Sequence, residues 1–246
     1  MKEKDLSCIQ LEEVDSTNKY VAERLSNLDL PFCIRATYQT AGKGQEENTW
    51  QSERGKNLLF SYAFRPVALN PGQGFFVSRI SSLAAADFYS GHLQKVKIKW
   101  PNDILNDQQK LAGILIENRF YGDKIDKCII GMGLNINQEK FPVFSPPAAS
   151  IMSVTGRKLD LEEVFWQVLE KLEYWIDVLN NHDFSLITKA YNQQLFRLME
   201  PGIYRAGDEF FEARLTGVKE DGRLLLLTPK GEIRKYAFKE VEFVFS

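Results

Sequence analysis

Apolar residues recur along the chain with two periods, and the changes of period mark its elements. Residues 9–14 read as a short strand. Asp15-Ser16-Thr17-Asn18 then offers a run of N-cap residues, and Tyr20, Val21, Leu25 and Leu28 follow at helical spacing. Residues 33–39 and 58–64 have strand character, separated by a polar, glycine-containing loop that runs to Trp50. A long helix is predicted over 75–93, with Phe76, Ile80, Leu83, Ala84 and Phe88 on one face. Residues 96–100 alternate apolar and basic side chains, a strand that Pro101-Asn102-Asp103 ends as a turn. Residues 110–117 and 128–137 are the next strands, and both carry interior glycines: Gly113, then Gly131 and Gly133. Glycine weakens a strand, so its repeated use points to close approach by a ligand or a packed neighbour. Residues 141–147 hold three prolines and read as loop.

The strongest helical pattern spans 159–180, where Leu161, Val164, Val168, Leu172, Trp175 and Leu179 form a stripe. Asp160 and Glu163 at its start are spaced like a capping box. Another helix is predicted over 184–197. Beyond Pro201-Gly202 the pattern shifts to short β-like runs at 203–204, 209–218, 223–227, 232–238 and 241–245, with Asp221-Gly222 as a hairpin signal. The expectation is an α+β chain in two domains, residues 1–197 and residues 198–246, the second a small β-barrel.

Composition narrows the function classes. Of 246 residues, 44% are hydrophobic and 12% aromatic, enough for a sizeable core. Lys+Arg number 31 against 33 Asp+Glu, so the basic excess of a general nucleic-acid binder is missing. The first residues are charged and contain no apolar signal-peptide segment, and no stretch approaches the ~18 apolar residues of a membrane span. Cys8, Cys33 and Cys128 are far apart and form no CxxC pair, which suits free thiols in a cytoplasmic protein. Histidine occurs only at 92 and 182. Chemistry built on a catalytic histidine or a histidine-rich metal site is therefore disfavoured. Reactions driven by positioning and charge neutralisation need none.

Three segments carry candidate chemistry. The loop 42–50 contains Gly42-Lys43-Gly44, whose backbone N–H groups can turn toward an anion. Alone it is equally an ordinary surface loop, and it lacks the GK[ST] of a Walker motif. Lys99-Trp100-Pro101-Asn102-Asp103 places a carboxylate past a strand end, either as a metal and phosphate site or as plain turn chemistry. Lys110 heads an otherwise apolar strand, where it could reach an anion or simply guard a sheet edge.

Taken in order, these segments resemble the biotin–protein ligases. Asp15-Ser16-Thr17-Asn18 resembles the family's D-S-T-N, and 38–50 its glycine- and arginine-rich loop. Residues 99–103 match K-W-P-N-D, 110–115 match K-L-A-G-I-L, and Gly131-Met132-Gly133-Leu134-Asn135 matches G-x-G-x-N. The C-terminal run 207–243 resembles the family's SH3-like domain.

The resemblance implies a mixed β-sheet with helices packed on one side, of the class II aminoacyl-tRNA synthetase/biotin synthetase-like kind, followed by an SH3-like barrel. It implies ATP and Mg²⁺ as cofactors, biotin as substrate, and a biotin carboxyl carrier protein or domain as partner. Biotin binding falls to Ser16, Thr17, Asn18, Gln39, Gly42, Lys43, Gly44, Gln45, Lys110, Gly113 and Leu115. ATP binding falls to Trp50, Lys99, Asn102, Asp103, Lys110 and Asn135. Lys110 and Asp103 would be catalytic, with Asp103 also holding the metal.

In this chain Lys43 and Gln45 replace the loop's arginines, and Glu46 and Glu47 follow, so Arg54 and Lys56 just downstream are candidate substitutes for the missing charge. The D-S-T-N motif begins at residue 15, which leaves no room for the helix-turn-helix of relatives that act as repressors, so no DNA binding is expected. A homodimer is left open. Three other readings compete with the ligase reading: a lipoate or octanoyl transferase of the same fold, a non-catalytic biotin-binding protein, and a nucleic-acid module using the small barrel.

Overall fold

The computed structural model describes residues 6–45 and 48–245, so Glu46 and Glu47 lie outside the described residues. Seven strands form the first sheet: β1 (Ser7–Leu11), β2 (Phe32–Ala36), β3 (Leu58–Phe64), β4 (Val96–Lys99), β5 (Asp103–Asn106), β6 (Gln109–Tyr121) and β7 (Lys124–Leu134). Their order is β1-β2-β3-β7-β6-β5-β4. β1 and β2 are parallel, and the other pairs are antiparallel, so the sheet is mixed.

The sheet is apolar on both faces because β3 is buried along its whole length. Phe60, Tyr62 and Phe64 face one core, together with α2 (Phe75–Ser90) and α4 (Leu161–Asn180). The Phe60 and Phe165 rings meet edge to face at 5.7 Å. Ala63 faces the other way, into a smaller cluster with Ile34 and Ile129, which α1 (Thr17–Arg24) covers through Val21 and its C-cap Leu25. The expectation of helices on one side therefore holds for the long helices, while α1 packs on the opposite face. That opposite face also carries the candidate site, since Ser61, Gly131, Gly133 and Gly113 share it by register.

Helix starts follow their caps. Ser16 caps α1, and Asp160 caps α4 by accepting from the Glu162 and Glu163 amides at 2.8 and 3.1 Å. Three elements differ from the sequence expectation. Pro101-Asn102-Asp103 does turn the chain, but Asp103 then opens β5, whose Ile104 and Leu105 are fully buried. A one-turn helix, α3 (Ile151–Thr155), follows the proline-rich loop. α5 (Phe184–Gln193) ends four residues earlier than expected.

The C-terminal strands are β8 (Pro201–Ala206), β9 (Glu209–Val218), β10 (Leu224–Leu227), β11 (Ile233–Tyr236) and β12 (Glu242–Phe243), in the order β11-β10-β9-β8-β12. All of their pairings are antiparallel, and among the described residues the edge strands β11 and β12 do not pair with each other, so the sheet is open rather than a closed barrel.

This second sheet does not sit apart. Tyr204, Leu215, Val218 and Leu224 join the main core. The fully buried Arg79 of α2 donates to the Val218 and Lys219 carbonyls at 2.8 and 2.7 Å. Trp100 Nε1 donates to the Gly222 carbonyl at 2.8 Å. A buried guanidinium needs such partners, because without them its desolvation would be costly. Here they lock the second sheet beside the segment that carries Asp103.

Candidate active site

A cavity of about 500 Å³ opens on the α1 side of the first sheet. The β6 and β7 register explains its floor. Gly113 faces Gly133, and Leu115 faces Gly131, so the pocket face of two neighbouring strands is largely stripped of side chains. The space is used at once. The Trp50 indole lies over Gly113 and Gly133, and a Cβ at Gly133 would overlap it. A Cβ at Gly131 would likewise overlap the Asn18 amide. The interior glycines of these strands thus mark close approach, as their cost in a strand suggests.

One end of the cavity is a neutral hydrogen-bond cluster. Gln39 Oε1 accepts from the Thr17 amide at 2.7 Å and lies 3.0 Å from the Thr17 hydroxyl. Ser61 Oγ is 2.8 Å from Thr17 Oγ1 and 2.6 Å from Asn18 Oδ1. Asn18 Nδ2 donates to Glu117 at 3.0 Å and to the Leu115 carbonyl at 3.4 Å. Ser16, Thr17, Asn18 and Ser61 are all buried. Among the described residues, Gln39 Nε2 makes no hydrogen bond and keeps two hydrogens to offer a ligand.

The other end is charged. Lys110 Nζ lies 2.7 Å from Asp103 Oδ1, and Lys99 Nζ lies 3.4 Å from Asp103 Oδ2. With Lys43 also on the wall, the described lining holds three lysines against one aspartate, a cationic surface for an anion. Backbone pairing sets the positions of these groups. Asn102 Nδ2 donates to the Ile114 carbonyl at 2.5 Å, fixing the β5 turn on β6. Tyr89, wholly buried in α2, reaches the Leu111 carbonyl at 2.9 Å and the Asn135 carbonyl at 3.1 Å, which ties together the strand ends that bear Lys110 and Asn135. Burial pushes the Tyr89 hydroxyl well above its usual pKa, so it stays a neutral donor. Asn135 Oδ1 and Trp50 Nε1 face the same cavity as buried atoms without a hydrogen-bond partner among the described residues. Buried polar atoms in native proteins are usually partnered, so these two are open to a polar group that enters the cavity.

Fifteen of the residues expected at the site line this one cavity: Ser16, Thr17, Asn18, Gln39, Lys43, Gly44, Gln45, Trp50, Lys99, Asn102, Asp103, Lys110, Gly113, Leu115 and Asn135. Gly42 does not line it. Its carbonyl accepts from the Trp50 amide at 2.9 Å, and a Cβ would stand 2.6 Å from the Trp50 carbonyl oxygen, so it shapes the loop. The expected cradle of backbone N–H groups is also not supplied by Gly44, whose amide donates to the Asn48 carbonyl at 2.7 Å. Arg54 does not stand in for the lost arginines. Its guanidinium pairs with Glu13 and lies over the Tyr38 ring at 4.7 Å. Lys56 is not on the cavity wall either, and neither is His92 or His182.

Sequence reading missed Ser61, Glu117 and Phe238. Ser61 is the lone polar residue inside the apolar run 58–64, a signal that was available. Phe238 reaches the cavity from the C-terminal region, and nothing local in the sequence announces that. Among the described residues there is no group of three or more His, Cys, Asp or Glu side chains able to hold a metal.

The site joins a neutral donor–acceptor cluster to a cationic one, as suits an enzyme that binds a polar ring and activates an attached anion. The model of the biotin/lipoate A/B protein ligase family matches residues 11–135, half of the chain, and the chain belongs to that family. It is 29% identical over 227 residues to a biotin–[acetyl-CoA-carboxylase] ligase of Paracoccus denitrificans, covering 90% of this chain and 94% of that protein. It is 33% identical to the bifunctional ligase/repressor BirA of Escherichia coli, covering 87% of this chain and 67% of that one. Among solved structures, the biotin protein ligase of Aquifex aeolicus in complex with biotin and ATP superposes with a TM-score of 0.79 at 26% identity, covering 98% of this chain and 99% of that one.

Proposed function

We infer that this chain is a biotin–protein ligase. It joins biotin and ATP into biotinyl-5′-AMP with release of pyrophosphate, then passes the biotinyl group to a lysine of a biotin carboxyl carrier domain. The observation that carries this reading is one cavity lined by Thr17, Asn18 and Gln39 at one end, with Ser61 buried behind them, and by the Lys110–Asp103 pair at the other. A ureido ring needs both donors and acceptors, and this cluster offers both. The dithiolane ring of a lipoyl group would leave those buried polar groups unpaired, which favours biotin within the family.

In this reading Ser16, Thr17 and Gln39 hold the ureido head, and Gly113 and Leu115 flank the bicyclic ring. Lys110 pairs with the biotin carboxylate. When a carboxylate oxygen attacks the α-phosphorus and pyrophosphate leaves, Lys110 offsets the charge that builds up between two anions. In the second step the carrier amine attacks the acyl carbon and AMP departs. Lys99 and Asn102 serve the phosphates. Trp50 and Asn135, with their unpartnered polar atoms, serve the rest of the nucleotide.

Asp103, the one carboxylate on the described cavity wall, would hold a Mg²⁺ bound with the triphosphate, as suits an ion that keeps most of its ligands from water and phosphate rather than from an all-protein cage. The ion would supply charge neutralisation. The five C-terminal strands are read as an SH3-like domain whose Phe238 closes one wall. Among the described residues no helix is long and apolar enough to cross a membrane.

The test is incubation of the purified chain with biotin, ATP, Mg²⁺ and a carrier domain, read by mass. A gain of one biotinyl group that requires ATP is expected. Biotin binding without mass gain or adenylate would make the chain a binder.

A further inference from the structure

Glu117 does not line the cavity, yet it stands at the root of the hydrogen-bond cluster. It lies two positions past Leu115 on the pocket face of β6, partly buried, with Ile129 opposite. Its carboxylate can only accept a hydrogen bond, and so can the Leu115 carbonyl. Both face the same end of the Asn18 amide, so that end must be the nitrogen. The amide oxygen then faces Ser61 at 2.6 Å, which commits the one Ser61 proton to Asn18. Ser61 therefore has no proton left for Thr17, 2.8 Å away. The single Thr17 proton is drawn inward, to Ser61 or to Gln39 Oε1. What Thr17 presents to the cavity is lone pairs.

If the Asn18 amide were reversed, its nitrogen would donate to Ser61. Ser61 would then donate to Thr17 and occupy one of those lone pairs. Asn18 also packs tightly over Gly131, so a misoriented amide has little room to adjust. The neighbouring Gln39 offers N–H donors, and Thr17 beside it offers an acceptor. That pattern complements the carbonyl and an adjacent N–H of one ureido ring.

We infer that Glu117 is a positioning residue for biotin: its carboxylate fixes the Asn18 amide, and through Ser61 it keeps Thr17 Oγ1 an acceptor for a ureido N–H. The inference rests on the biotin reading above. Its effect is confined to the biotin end, because Glu117 touches neither Lys110 nor Asp103.

The experiment is calorimetric titration of the full chain with biotin, together with pyrophosphate-release kinetics. Glu117→Leu is expected to weaken biotin about 10- to 100-fold, the scale of leaving a buried donor without a charged partner, while the KM for ATP and kcat at saturating biotin stay within about twofold. Glu117→Gln keeps an oxygen that can accept from Asn18 Nδ2 and is expected to stay within about threefold of wild type in biotin affinity. Asn18→Asp sets two carboxylates face to face and should weaken biotin strongly. Adding Glu117→Gln to that variant supplies a donor and should recover affinity, a rescue that a purely structural role would not produce and that remains readable if Glu117→Leu fails to fold. Unchanged biotin affinity in Glu117→Leu, equal losses for the Gln and Leu variants, or no rescue in the double variant would each overturn the inference alone. A wild-type chain that does not bind biotin would overturn the biotin reading and this inference with it.

Discussion

At one end of the cavity Thr17, Asn18, Gln39 and Ser61 satisfy one another through neutral hydrogen bonds, and three of the four are buried. At the other end Lys99 and Lys110 converge on one carboxylate, and Trp50 and Asn135 keep polar atoms unpartnered among the described residues. The first end is set by secondary structure: Ser16 caps α1, Ser61 sits inside β3, and β6 and β7 fix the backbone below. The second end depends on side chains reaching across a gap and on the loop that delivers Trp50. A rigid neutral cluster suits recognition of a ring, which must be the same before and after reaction. A cationic cluster with unsatisfied groups suits a triphosphate whose charge changes during the reaction.

Breaking the charged end should have the largest effect. Lys110→Ala removes the nearer of the two lysines on Asp103, the one proposed above to pair with the biotin carboxylate. Adenylate formation is expected to fall at least ~100-fold with biotin affinity less affected, measured by pyrophosphate release and calorimetry. Near wild-type turnover would separate Lys110 from the chemistry. Breaking the neutral end should act on affinity instead. Gln39→Ala strips the Thr17 amide of its acceptor and is expected to raise the KM for biotin about 30-fold with kcat changed little. An equal fall in kcat would mean that the two ends are not separable.

The floor between the ends gives a third contrast. Gly133→Ala pushes a methyl into the Trp50 indole. It should lower stability by about 1–3 kcal/mol, read by urea unfolding, and quench or shift Trp50 fluorescence. Unchanged spectra would mean that Trp50 does not rest on that strand in solution.

The smallest effect lies away from the cavity. Cys8 faces Cys33 across β1 and β2. A hydrogen bond with the Cys33 thiol lowers the Cys8 pKa to about 7, helped by the nearby Arg35 and opposed by burial. Burial raises Cys128 to about 12. Below the Cys8 pKa the thiol is protonated and slow, so its alkylation should accelerate as pH rises through about 7, while Cys128 stays unreactive. Peptide mass mapping after timed alkylation measures this, and activity should hardly change.

Most of the elements were legible in the sequence because their periods were clean. β3 and β9 fall on the expected residues, and α4 starts two residues inside the expected range, just after its Asp160 cap. β5 was not legible, since four residues behind a Pro-Asn-Asp turn give no period to read, and only pairing with β4 and β6 makes them a strand. The barrel expectation failed on closure, because strand count and turns specify a meander but not whether its edges meet. At the site, the motif residues came together through their resemblance to a family, not through spacing. Ser61 and Glu117 were readable in principle from alternation, as polar positions on the pocket face. The engagement of Arg54 with Glu13 and Tyr38 was not, since it depends on contacts distant in sequence.

The most direct test of the central claim is exchange of labelled pyrophosphate into ATP by the purified chain, with and without biotin. The account predicts exchange that requires biotin, is not supported by lipoate, and is lost in Lys110→Ala. Exchange that is indifferent to biotin, or that persists undiminished without the Lys110 amine, would contradict it.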